Sequence, residues 1–121
     1  MISKSIAEIS SFIAGDSTII QELLHPKNEE VDINYSLALA KLEVNTQSDP
    51  HILENQSELY FILEGEGIAY IGEENKKLSK GDFILIPEGV KQFIVNTGKE
   101  TLQFLCIVSP PWKKTDEIIL E

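Results

Sequence analysis

The chain is expected to be all-β, an antiparallel sandwich or barrel, and two observations carry that expectation. Short apolar runs rich in Ile, Val, Leu, Phe and Tyr succeed one another from Thr18 to Val108. Turn residues separate them: His25-Pro26, Gly65, Gly67, Gly72, Gly81, Pro87, Gly89 and Asn96-Thr97-Gly98. Within the longest run, side chains alternate between two faces, the period of a pleated strand rather than of a helix.

Residues 1–17 read as an N-terminal arm. In it Ile6, Ile9, Phe12 and Ile13 suit either a short amphipathic helix or an extended segment packed on the body. Residues 18–112 form the barrel. Its first strand is Thr18 to Leu24, β-branched and apolar, and Pro26 and Asn28 break it. Ile33 to Val44 makes a longer strand with Tyr35, Leu37 and Leu39 on one face and Ala38, Ala40, Leu42 and Val44 on the other. After a polar loop from Asn45 to Pro50, Leu59–Leu63 and Ile68–Ile71 are expected to pair as a hairpin through Glu64-Gly65-Glu66-Gly67. Lys76–Leu78, Phe83–Ile86, Val90–Val95 and Leu102–Val108 follow as strands. Pro110 and Pro111 stop the sheet, and Trp112 is expected to pack as a lid over the barrel or an interface. Residues 113–121 are a tail in which Thr115 would cap one or two helical turns reaching Glu121.

A length of 121 residues suits one hydrophobic core. The net charge of −10 argues against nucleic acid, whose phosphates need clustered Lys and Arg, and against anionic membrane surfaces. Cys106 is the single cysteine, so no intrachain disulfide forms, and its apolar neighbours make it an inert core thiol. No apolar run reaches the length of a membrane span, and the N-terminus lacks the apolar stretch of a secretory signal. Cytoplasm is the expected compartment. The chain shows no serine–histidine–acid set, Cys-x-x-Cys pair or phosphate loop. Leu59, Phe61 and Leu63 alternate with Tyr60 and Ile62, so this strand is apolar on both faces. A small sandwich has one inner face per sheet, and the outer one needs a cover, either the arm or a second subunit. A homodimer is expected.

Two stretches carry a family resemblance. His51-Ile-Leu53 is followed by Glu58 and Gly65, and Gly81 is followed by Pro87, Gly89, Gln92 and Asn96. They resemble the two motifs of the cupin superfamily: Gly, His-x-His, Glu and Gly in the first, and Gly, Pro-x-Gly, His and Asn in the second. The resemblance implies a small single-domain, antiparallel jelly-roll β-barrel. Three positions depart from it. Leu53 stands at the second histidine, Gln92 at the third, and Asn45 at the leading glycine. The family's site of three histidines and a glutamate is therefore not inherited whole.

If the barrel closes as the resemblance implies, His51, Glu58 and Gln92 converge inside it as candidate ligands of a divalent metal, Mn, Fe, Ni or Zn. Two oxygen donors and one imidazole suit Mn²⁺ or Fe²⁺ better than a thiolate-seeking metal. Leu53, Tyr60 and Ile94 would line the ligand pocket. Without metal, Glu58 would be a buried carboxyl hydrogen-bonded to His51 or Gln92, with its pKa raised. His25 reads as a turn residue. Three functions stay open at this level. The first is a cupin module binding a metal or small polar molecule through a degenerate metal site. The second is a metal-dependent dioxygenase, isomerase or lyase acting on a small carboxylate or sugar-like compound. The third is an interaction subunit whose barrel is filled by side chains. A cavity inside the barrel separates the third from the others.

Overall fold

In a computed structural model, which describes residues 1–120, side-chain alternation organises the chain into eleven strands. In chain order these are β1 (Phe12–Ile13), β2 (Ile19–Leu24), β3 (Ser36–Leu42), β4 (His51–Leu53), β5 (Ser57–Glu64) and β6 (Glu66–Ile71). Then come β7 (Glu74–Ser79), β8 (Phe83–Ile86), β9 (Gln92–Asn96), β10 (Leu102–Ser109) and β11 (Glu117–Ile119). Two antiparallel sheets result, ordered β1-β2-β3-β10-β5-β8 and β11-β4-β9-β6-β7.

Register decides what faces inward. β10 lies between β3 and β5, pairing Phe104 with Ala40 and Ile62, and Cys106 with Ala38 and Tyr60. Together with Leu42, Ala69, Leu78, Ile86, Ile94 and Leu102, most of these residues form the apolar core between the sheets. Phe104, Ile62, Ile94 and Leu102 are wholly buried, and each such side chain contributes about 1.5–3 kcal/mol. The inner faces change character along the strands. β5 runs from Glu58 through Tyr60 to Ile62, so one end of the interior is polar and the other apolar.

Two expectations are corrected. Leu59–Leu63 and Ile68–Ile71 do not form a hairpin, because β5 pairs with β10 and β8 while β6 pairs with β7 and β9. The chain crosses from one sheet to the other at Gly65, whose φ of +86° only glycine adopts readily, and a Cβ there would lie 3.0 Å from the Thr101 carbonyl. The hairpin is instead β6–β7, turning at Gly72-Glu73. The C-terminal tail is not helical. A single 3-10 turn, Lys114–Asp116, leads into β11, which pairs with β4 so that Glu117 faces Leu53 and Ile119 faces His51. Thr115 lies inside that turn instead of capping a helix, and the β-branched Ile118 and Ile119 gain a strand partner that an isolated turn of helix lacks. Glu121, the end of the expected helical stretch, lies outside the described residues.

The arm is partly structured. A 3-10 turn at Ile6–Glu8 precedes β1, which extends the first sheet by pairing Phe12 with Ile20. The amide of Gln21 donates to the Ile6 and Ile9 carbonyls (3.0 and 2.7 Å), tying the arm over the outer face of β2, and Leu39 across from Gln21 is 3% exposed. Beyond β3 the same outer face is open. Two rows cross it, Phe83–Phe61–Leu105–Leu39 and Leu85–Leu59–Ile107–Leu37, with no charged residue in either. Phe83 and Leu85 are more than half exposed.

Candidate functional site

The polar end of the interior opens into a cavity of about 520 Å³. Ile20, Ala38, Ala40, Leu53, Phe104 and Val108 supply apolar wall, and Asp16, His51, Glu58, Tyr60, Cys106 and Glu117 bring polar groups to it. The barrel is therefore not filled by its own side chains.

His51 opens β4, paired across from Gln92 on β9. Its Nδ1 lies 2.7 Å from the Asp49 carbonyl oxygen. A carbonyl only accepts, so Nδ1 carries the hydrogen and, in the neutral ring, Nε2 carries the lone pair. Nε2 faces Asp16 Oδ2 at 3.7 Å, too far for a hydrogen bond. Asp16 is held in place from several sides. Its Oδ1 accepts from the Thr18 amide (3.2 Å) and hydroxyl (2.6 Å), and its carbonyl accepts from the Asp49 amide (2.7 Å). The Ser17 hydroxyl donates to Asp49 Oδ2 at 2.6 Å, locking the end of the arm to the loop that precedes β4.

Glu58 is buried on β5 between Val108 and Ile86. Burial pushes its pKa up to about 8, and the negative charges of Asp16 and Glu117 push the same way. The Gln92 amide and the Cys106 thiol face the carboxyl and pull weakly in the opposite direction. Near neutral pH Glu58 thus keeps its proton and can donate it. The Cys106 thiol and the Tyr60 hydroxyl, both buried, are held well above their usual ranges, chiefly by the same desolvation. Cys106 is accordingly not a nucleophile. Glu117, on β11, accepts at Oε2 from the Trp112 indole N–H (3.0 Å). It crosses so close to Gly15 that a Cβ there would sit 2.9 Å from Oε1.

The residues expected from the sequence separate. His51, Glu58, Leu53 and Tyr60 reach the cavity wall. Gln92 and Ile94 do not. Gln92 is 1% exposed, and its Oε1 accepts the Tyr60 hydroxyl at 2.6 Å, so the amide is committed to a hydrogen bond behind the wall. Ile94 belongs to the apolar core. Among the described residues, no three His, Cys, Asp or Glu side chains are gathered to hold a metal ion. Of the three donors expected, His51 and Glu58 face the cavity, while the Gln92 oxygen is engaged by Tyr60. His25 stands apart, with Nε2 donating to the Trp112 carbonyl (2.7 Å) and Nδ1 accepting from the Lys27 amide (3.1 Å). Trp112 lies on the cavity wall, where a lid would stand.

Asp16 and Glu117 escaped the sequence reading. Asp16-x-Thr18 is a local turn pattern that fixes one carboxylate oxygen without saying where the group points. Glu117 reaches the site only because residues 117–119 form a strand against β4.

Glu58 binds its proton more tightly folded, at about 8, than at the ordinary 4.5 of the unfolded chain. Its contribution to stability is thus greatest below 4.5 and is lost as pH rises through that window to about 8, by about 1.4 kcal/mol per pH unit at most. Denaturant unfolding across the window is expected to show this slope in the wild type and a flatter one in Glu58→Gln. Equal slopes would mean that Glu58 titrates normally.

With the geometry established, comparison with known proteins places the fold. A family model described as a cupin domain matches residues 38–108. An uncharacterized protein of Methanocaldococcus jannaschii is 38% identical over 114 residues, covering 94% of this chain and 90% of its own. The oxalate-binding protein of Thermotoga maritima is 28% identical over 102 residues, covering 83% of each chain. Among solved structures, the Streptomyces nucleoside dehydratase Pac13 superposes with a TM-score of 0.80 over 100% of this chain and 92% of its own, at 15% identity, a likeness of fold alone. The chain belongs to the cupin domain family.

Proposed function

We propose that the protein binds a small molecule inside the barrel, with its polar group at the end formed by His51, Asp16, Glu58 and Glu117 and its apolar part against Ala38, Ala40 and Phe104. The observation that carries this reading is the cavity itself, apolar-walled with a few converging polar groups, one of them a carboxyl that holds its proton near neutrality. The oxalate-binding relative suggests the same use of the fold, but oxalate is a poor occupant here. A dianion beside Asp16 and Glu117 would be repelled unless a cation came with it. A protonated Glu58 and an imidazole with a free Nε2 on the wall of one cavity also suit acid–base chemistry of the isomerase or lyase kind, which turnover would reveal. A divalent metal of the kind named above, Mn, Fe, Ni or Zn, is supported by one feature only, the free Nε2 of an imidazole oriented by a backbone carbonyl.

Thermal-shift screening with small amines, polyols and carboxylates, alongside elemental analysis of the untagged protein, tests this reading. Binders are expected to stabilise the wild type and to lose their effect in Ala38→Leu, which fills the wall. Stoichiometric metal that disappears in His51→Ala would replace this reading with a metal site. No binder of any class would leave the cavity without a role.

We also propose that two copies pair through the open outer face of the first sheet. Each copy carries a charge of −10, so close approach is favoured where a face bears no charge, and the two rows crossing β10, β5 and β8 are such a face. A face that pairs with its own copy does so about a twofold axis. Sedimentation velocity is expected to show a dimer for the wild type and a folded monomer for Phe83→Lys/Leu85→Lys. A monomeric wild type, or a variant that still dimerises, contradicts the pairing.

A further inference from the structure

We infer that the polar end of the cavity is built for a protonated amine, a small organic cation whose ammonium group is received by His51 Nε2, Asp16 Oδ2 and Glu117. The inference rests on the cavity-binding reading above and narrows it to a ligand class.

The groups converging there are acceptors in want of a donor. His51 is 2% exposed, its Nδ1 hydrogen is spent on the Asp49 carbonyl, and Nε2 has no hydrogen-bond partner among the described residues. One oxygen of Asp16 is taken by Thr18, while the other faces that nitrogen from 3.7 Å. Glu117 has one oxygen on the Trp112 indole. The other, Oε1, lies 2.9 Å from where a Cβ on Gly15 would stand, one residue from Asp16, so these two carboxylates come to the same end of the cavity. Of the lining acids, only Glu22 has its own cation, Lys27 at 3.4 Å, with Asn28 also donating to it at 2.6 Å. Lys114, exposed at the rim, is the lining's single basic residue apart from His51.

Negative charge partly withdrawn from water without a partner carries a cost. An ammonium group supplies the opposite charge and three N–H donors in one small head. The apolar walls argue for an organic body behind that head, since a bare divalent ion would leave Phe104, Leu53 and Val108 facing nothing and needs ligands gathered more closely than these. A carboxylate of the same shape would meet like charge.

The test is a series with one body and three heads, phenethylamine, phenethyl alcohol and phenylacetate, titrated calorimetrically into the wild type, Asp16→Asn and Ala38→Leu. A chain of charge −10 gathers cations weakly over its whole surface, so Ala38→Leu separates cavity binding from that background. Asparagine keeps the oxygen that accepts from Thr18, so Asp16→Asn removes charge while retaining the turn. The amine is expected to bind about tenfold or more tightly than the alcohol, phenylacetate not at all, and Asp16→Asn to erase most of the amine's advantage while sparing the alcohol. Equal binding of amine and alcohol, binding of phenylacetate, or an amine preference that survives Asp16→Asn overturns the inference and leaves the cavity reading intact. Failure of all three compounds, with further amines and alcohols of smaller body also failing, overturns both.

Discussion

A carboxyl group buried between two sheets with no cation beside it constrains everything around it. Glu58 lies inside the barrel because residues of β5 alternate, and the register that turns Tyr60 and Ile62 into the core turns Glu58 with them. Desolvation, reinforced by Asp16 and Glu117, keeps its proton on. Its neighbours then arrange themselves as a neutral network, with the Tyr60 hydroxyl donating to Gln92 and the Gln92 amide turned toward the carboxyl. That network also fixes how Gln92 is held. Its oxygen is already used, and withdrawing it would strand a buried Tyr60 hydroxyl.

Much of this was legible in the sequence because strand alternation and glycine turns are local signals. The two-faced pattern of residues 36–42, the apolar run of β10 and the motif positions at Gly65, Gly81 and Gly89 point to the same barrel. What local signals do not encode is which sheet a strand joins. Glu64-Gly65-Glu66-Gly67 reads equally as a hairpin turn or as a crossing between sheets, and the choice is made by β10 and β9, some thirty to forty residues away. The tail turns on a related choice. A Thr followed by acidic residues resembles a helix start, but pairing with β4 outweighs so short a helical segment.

The site was half legible. His51, Glu58, Leu53 and Tyr60 follow from motif spacing and alternation. Asp16 and Glu117 come from opposite ends of the chain and reach the cavity that His51 lines through tertiary contacts, the arm locked to Asp49 and β11 laid along β4. These two residues change the site's chemistry. Beside His51 and Glu58 of the set that the resemblance implied, they add two carboxylates to the cavity wall. The family sets the barrel, and the two ends of the chain set which polar groups its interior presents.

The most direct measurement is an NMR titration of the Glu58 side-chain carboxyl carbon, assigned by its disappearance in Glu58→Gln. A midpoint at about 8 is predicted for the ligand-free protein. A midpoint near the ordinary 4.5 would show a hydrated, ionised carboxylate, and the buried, proton-holding carboxyl on which this account rests would not exist.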